Sequence, residues 1–178
     1  MPLKPWKQIT TQDKFKNPWW TYRFDKVIMP NGKEGEYNYV HTGGSVMIIP
    51  ILDNGKIFMI NQYRYLNRRE SIELPAGGIK EGEKPIDIAH KELIEETNFD
   101  GDLKKVGFFN PFNGVTDEIC HVFVARNLKS SSKETKDDCE EFEFLELTPE
   151  EIDQKIKSNE IYDGLTMAAW MIGKNYLK

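Results

Sequence analysis

Three glutamates, Glu92, Glu95 and Glu96, occupy positions i, i+3 and i+4 of the segment 85–97, and this spacing constrains the chain more than any other feature. The segment reads as its clearest helix. Pro85 suits a first helical turn, where its missing N–H would be unpaired anyway. Ile86, Ala89 and Leu93 form an apolar stripe at three- and four-residue spacing. The three carboxylates share one helical face, and no basic residue is expected among them there. Crowded carboxylates repel, a cost that a bound cation would offset. All-oxygen donors suit a hard ion, Mg²⁺ or Mn²⁺. A solvated acidic helix face has the same spacing, so the flanking residues decide between the two. They are Leu74-Pro75-Ala76-Gly77-Gly78, which end a strand-like segment and open a loop ahead of the helix.

The remainder of the chain reads as hairpins followed by helices. Thr21–Met29 and Glu34–His41 are strands joined through Pro30-Asn31-Gly32, where Asn-Gly is a strong hairpin signal. Ser45–Leu52 and Lys56–Arg64 are expected to form a second hairpin about Asp53-Asn54-Gly55. Val106–Phe109, Ile119–Arg126 and Phe142–Leu147 are further strands, and the polar run Leu128–Glu141 is an exposed, mobile loop. Thr148 caps a helix with Pro149 at its first position and Glu151 completing a capping box. Asp163 caps the last helix, with Leu165, Ala168, Ala169, Ile172 and Tyr176 on its buried side. Such a mixture predicts an α/β or α+β sandwich.

With 178 residues the chain fits one globular domain with a small appendage. Its net charge of −5 and lack of a basic tract argue against a nucleic-acid partner. Cys120 and Cys139 form no metal-binding pair, which argues against zinc and suits free thiols in a reducing cytosol. The N-terminus lacks the apolar stretch of a secretory signal, and no apolar run is long enough to cross a membrane. Trp19, Trp20, Tyr22 and Phe24 either stack on a nucleobase or serve as core or interface aromatics. His41, His90 and His121 are scattered and read as packing or surface residues.

The stretch Gly77–Phe99, GGIKEGEKPIDIAHKELIEETNF, resembles the Nudix box. Gly77, Glu83, Glu92, Leu93, Glu95, Glu96 and Phe99 fall in register with that signature. Lys91 stands where arginine is usual, and Asn98 where glycine is usual. Asparagine tolerates the left-handed conformation expected at a helix end. Lysine keeps the charge but lacks the planar fork, so it should hold Glu83 or its neighbours less firmly. Gln62-Tyr63-Arg64, Glu73–Gly77, Asn113–Glu118 and Glu160–Thr166 are similar to the Nudix branch that hydrolyses ADP-ribose and related nucleoside diphosphate sugars. Asn113 lies near a position where that branch usually has proline, which points to broader or different nucleotide-sugar use.

The resemblance implies a Nudix-type α/β/α sandwich with a mixed sheet over 43–178. It also implies an N-terminal antiparallel region over 1–42 that dimerises the chain and contacts the base. It implies a cytoplasmic, magnesium-dependent hydrolase. Glu92 and Glu96 would hold the metal, with Glu95 close by and the Ala76 carbonyl as a further ligand, and a metal-bound water would attack one phosphorus. Glu140, then Glu141, is the expected general base. Arg64 is the candidate phosphate clamp, with Arg69 and Arg68 weaker ones. Glu73 and Glu118 are candidate contacts to the substrate's ribose or a metal, with structural hydrogen bonding as the equal alternative; Asn113 is a candidate substrate contact, and Gly77 and Gly78 let backbone approach the ligand. The alternatives are hydrolysis of a dinucleoside polyphosphate or coenzyme A, and a sensor that binds without turnover. A calcium-binding module is disfavoured, because the carboxylates lie on a helix rather than in a DxDxDG loop.

Overall fold

A computed structural model describes residues 2–131 and 143–177. The strands are β1 (Lys7–Lys16), β2 (Thr21–Ile28), β3 (Glu34–His41), β4 (Ser45–Pro50), β5 (Ile57–Arg64), β6 (Arg69–Glu73), β7 (Ala76–Gly78), β8 (Phe99–Phe109), β9 (Cys120–Ser130) and β10 (Glu143–Leu147). The helices are α1 (Pro85–Thr97), α2 (Pro149–Lys157) and α3 (Gly164–Gly173), followed by one 3₁₀ turn at Lys174–Tyr176. The strands form three sheets, ordered β1-β2-β3, β10-β5-β6 and β7-β4-β9-β8. The last is mixed, because β4 and β9 run parallel while β7 and β8 pair antiparallel.

This mixed sheet is the centre of an α/β/α sandwich. Val46 and Ile48 of β4 and Phe123 and Ala125 of β9 face Ile88, Ala89 and Leu93 of α1. The alternate residues, Met47, Ile49, Val122 and Val124, face Ala169 and Trp170 of α3 and Ile152 of α2. Each β4 residue from Val46 to Pro50 is therefore buried, as a strand covered on both faces requires.

That burial explains why the expected second hairpin does not form. The turn at 53–55 exists, with the Leu52 amide donating to the Lys56 carbonyl at 2.9 Å, and Ile51 bridges Ile57. Beyond that bridge the strands part. β4 enters the mixed sheet, and β5 pairs with β6 and β10. Two apolar strands can bury four faces between two sheets, which a shared hairpin would not allow.

Other boundaries differ for similar reasons. Strand β1 was not expected, since every residue in it is exposed and nothing in its pattern alternates. It is held by pairing with β2 and by Asp25, whose carboxylate accepts from Gln8 Nε2 and Thr11 Oγ1, each at 2.7 Å. Strand β8 begins at Phe99 rather than Val106, and Leu128–Ser130 belong to β9 rather than to a loop. On α1, Ile86 is exposed and Ile88 takes its place in the core. On α3 the fully packed aromatic is Trp170, while Tyr176 lies outside at 42% exposure.

The local signals otherwise hold. Asn98 ends α1 at φ 58°, its amide donating to the Ile94 carbonyl. The Thr148–Glu151 capping box and the Asp163 cap, which accepts from the Thr166 amide, are both present. Cys120 is a free, buried thiol pushed up to about 11, chiefly by burial.

Candidate active site

The site is built where the β6–β7 connection crosses the face of α1. Three hydrogen bonds fix this connection. The Leu74 amide donates to Thr166 Oγ1 at 3.1 Å, the Ile48 amide to the Pro75 carbonyl at 2.9 Å, and the Ala76 amide to Glu96 Oε2 at 2.8 Å. What the sequence presents as a loop is thus partly strand, with Ala76 opposite Met47 and Gly77 opposite Val46. A Cβ on Gly77 would overlap the Glu92 side chain, coming within 2.5 Å of Oε1. Glycine at this position lets the helix carboxylate lie directly on the backbone of β7. Gly78 differs, because its missing Cβ points into open space.

The three glutamates are graded in exposure. Glu96 is buried, the Glu92 side chain is 16% exposed and that of Glu95 is 32% exposed. The face is not free of cations, as the sequence had suggested. Lys91 Nζ stands 2.8 Å from Glu95 Oε2 and 3.7 Å from Glu92 Oε1. Its flexible stem reaches both the adjacent residue and the one a turn ahead. The hydrogen bond to Glu95 is the main reason its pKa lies above the ordinary value. Lys91 pairs with Glu95 and Glu92 rather than with Glu83, whose carboxylate accepts from the Lys80 amide at 2.8 Å.

Arg64, expected as a phosphate clamp, is joined to Glu73, for which structural hydrogen bonding is one of the expected roles. Arg64 Nε donates to Glu73 Oε1 at 2.8 Å and Nη2 to Oε2, and this pairing is the main cause of a raised Arg64 pKa. Glu73 is only 3% exposed, so its charge needs such a fork. Arg69 instead lies over the Tyr162 ring at 3.5 Å. Arg68 takes a left-handed conformation in the β5–β6 turn.

A cavity of about 470 Å³ opens beside Gly78, lined by Trp19, Trp20, Lys16, His41 and Lys80 among others. Tyr22 is absent from this lining and donates instead to Asn38 Oδ1 at 3.0 Å. Asn113 lines a separate cavity of about 260 Å³ with Tyr37, Tyr39, Thr116 and Asp117. Its loop is stitched to β3 by the Val40 amide on the Val115 carbonyl and by His41 Nδ1 against Asp117 Oδ2 at 2.6 Å. Glu118 accepts from Ser45 Oγ at 2.5 Å. Glu140 and Glu141 lie outside the described residues.

A family model described as the NUDIX domain matches residues 41–167. The chain belongs to the NUDIX family. It is 37% identical over 147 residues to an ADP-ribose pyrophosphatase of Bacillus subtilis, covering 82% of this chain and 80% of that protein. It is 34% identical over 165 residues to a methanol dehydrogenase activator of Bacillus methanolicus, covering 92% and 89%. A crystal structure of an ADP compounds hydrolase shares the fold, with a TM-score of 0.84, 19% identity and coverage of 99% and 96%.

The NUDIX match begins at the last residue of β3, so nearly all of the β1-β2-β3 sheet precedes it. NUDIX hydrolases generally use divalent metals. The residues here fit such an ion in donor type, since Glu92, Glu95 and Glu96 offer only carboxylate oxygen and Gly77 leaves the space Glu92 occupies. Among the described residues, however, no three acidic, histidine or cysteine side chains converge as a ready-made ion site. The residues the sequence reading missed are Lys91 as a partner of Glu95 and Thr166 as the anchor of Leu74. The first was visible as an i, i+4 pair. The second bridges a separation of 92 residues and left no local trace.

Proposed function

We propose that this chain is a Mg²⁺-dependent hydrolase of the pyrophosphate in nucleoside diphosphate sugars such as ADP-ribose, ADP-glucose or GDP-mannose. Water adds across the P–O–P link, and a nucleoside monophosphate and a sugar phosphate leave. The observation that carries this reading is the seating of Glu92 and Glu96 on the Ala76–Gly77 backbone, beside a tryptophan-lined cavity. Glu92, Glu95, Glu96 and the Ala76 carbonyl would hold the ion. When bound, the ion neutralises pyrophosphate charge and acidifies the attacking water. Trp19 or Trp20 would stack on the base, and Lys16 and Lys80 would meet its phosphates. Arg64 would present to a phosphate whatever its pairing with Glu73 leaves free. Glu140 or Glu141 would take the proton from the water. We further infer a homodimer formed through the region 1–42 and a cytoplasmic setting.

The test is a panel assayed with Mg²⁺: ADP-ribose, ADP-glucose, GDP-mannose, UDP-glucose, diadenosine polyphosphates and coenzyme A, with released monophosphate read directly. Turnover of one or several diphosphate sugars is the expected result. Silence on all the sugars would overturn the proposal. The likeness to a methanol dehydrogenase activator supports a second reading, in which the chain raises the activity of a partner enzyme. Assaying a methanol dehydrogenase with and without the chain tests it.

A further inference from the structure

We propose that Lys91 is the resident counter-cation of the glutamate face, and that its charge opposes divalent-ion binding there. The inference rests on the metal-dependent reading above. The anchored and the movable parts of the face are distinct. Glu96 is buried and tied to the Ala76 amide, and Glu92 is packed against the Gly77 backbone. Glu96 cannot swing far without releasing the Ala76 amide. Glu95 and Lys91 are different, with side chains 32% and 57% exposed, and they hold each other at 2.8 Å. The ammonium also stands 3.7 Å from Glu92, so one positive charge screens two of the three carboxylates.

An ammonium this close to Glu95 and Glu92 repels a divalent cation that approaches the same carboxylates to within a few ångströms. In the ion-paired arrangement the acidic side chains among the described residues do not converge into an ion site. Release of Lys91 toward solvent frees Glu95 to turn toward Glu92 and Glu96. The lysine stem permits this, since its charged end is already largely in water. Lys91 thus lowers repulsion among the glutamates when no metal is bound and weakens metal affinity by adding a positive charge beside the same carboxylates. It is a positioning residue, because it acts through the carboxylates and not on the substrate.

Direct Mn²⁺ binding to the full chain tests this, with free Mn²⁺ read by electron paramagnetic resonance. Lys91→Met removes the charge and keeps the stem, and it should bind Mn²⁺ about tenfold more tightly than the unaltered chain. Lys91→Arg keeps the charge and should bind no more tightly than the unaltered chain. Equal or weaker binding by the methionine variant would overturn the proposal and make Lys91 a support that shapes the ligands. Tightening in both variants would also overturn it, because charge would not be the cause. Absence of Mn²⁺ uptake by the unaltered chain at millimolar concentration would remove the metal-dependent reading itself, whatever the ranking of the variants.

Discussion

The Ala76 amide donates to Glu96 Oε2 at 2.8 Å, so the glycine turn and the helix that carries the carboxylates are tied across 20 residues of sequence. Glu96→Gln keeps an oxygen for that bond and removes only the charge. Turnover of the active substrate should fall about 100-fold or more, as expected when several kcal/mol of charge stabilisation are lost. The melting temperature should barely change. Near-normal rates at saturating Mg²⁺ would remove Glu96 from the ion site.

Gly77→Ala tests whether helix and strand need their close approach. The added methyl collides with the Glu92 carboxyl group, and either β7 or the carboxylate must shift. A loss of about 1–3 kcal/mol in stability is expected, the range for overpacking, together with weaker metal binding. Urea denaturation and Mn²⁺ titration check the two effects. Gly78→Ala meets no atom within 4 Å and should leave stability nearly unchanged.

Thr166 connects α3 to the site without touching it. Its hydroxyl is fully buried and accepts from the Leu74 amide. Thr166→Val preserves shape and strands that N–H, at a cost of about 1–3 kcal/mol. Because the Leu74–Ala76 connection also sets the Glu96 bond, kcat should fall more than KM changes. Steady-state kinetics beside urea denaturation would separate this outcome from a purely global loss.

Asp153 links α2 to α3. Its carboxylate accepts from Trp170 Nε1 at 2.7 Å and from Lys174 Nζ at 3.2 Å. The Trp170 hydrogen bond is the largest influence holding its pKa below the ordinary 3.8. A depressed carboxylate stabilises the fold above its unfolded pKa, and that contribution is lost as pH falls through the folded value. Melting curves from pH 7 downward should therefore show a loss near and below pH 3.8 that Asp153→Asn lacks. Parallel curves for the two proteins throughout that range would refute the linkage.

The β1-β2-β3 sheet and its flanking residues carry exposed Trp6, Ile9, Phe15 and Trp19, and among the described residues β1 has an open edge. An unpaired edge with apolar groups beside it favours pairing with another chain. Removing residues 1–40 should yield a monomer with poor substrate affinity, because Trp19 and Trp20 go with the sheet. Sedimentation and substrate titration would check this. A dimer of normal affinity would refute the shared role of this region.

The local grammar of the chain was legible before any folding. Pro85 and Asn98 bound α1, Thr148 and Glu151 close their capping box, and Asp163 starts α3, because each device acts within a few residues. The glutamate face and its glycine turn were legible for the same reason, since helical spacing alone aligns 92, 95 and 96. Tertiary structure decided the rest. It sent β4 and β5 to different sheets, since burying both faces of each strand outweighs the hairpin turn between them. It ordered β1, whose exposed residues have no pattern, by pairing it with β2. It also paired Arg64 with Glu73 and Leu74 with Thr166. The ion pair neutralises a buried charge, and the hydrogen bond satisfies a buried amide. Partners for such groups are chosen by what the packed chain brings near, which short-range sequence does not encode.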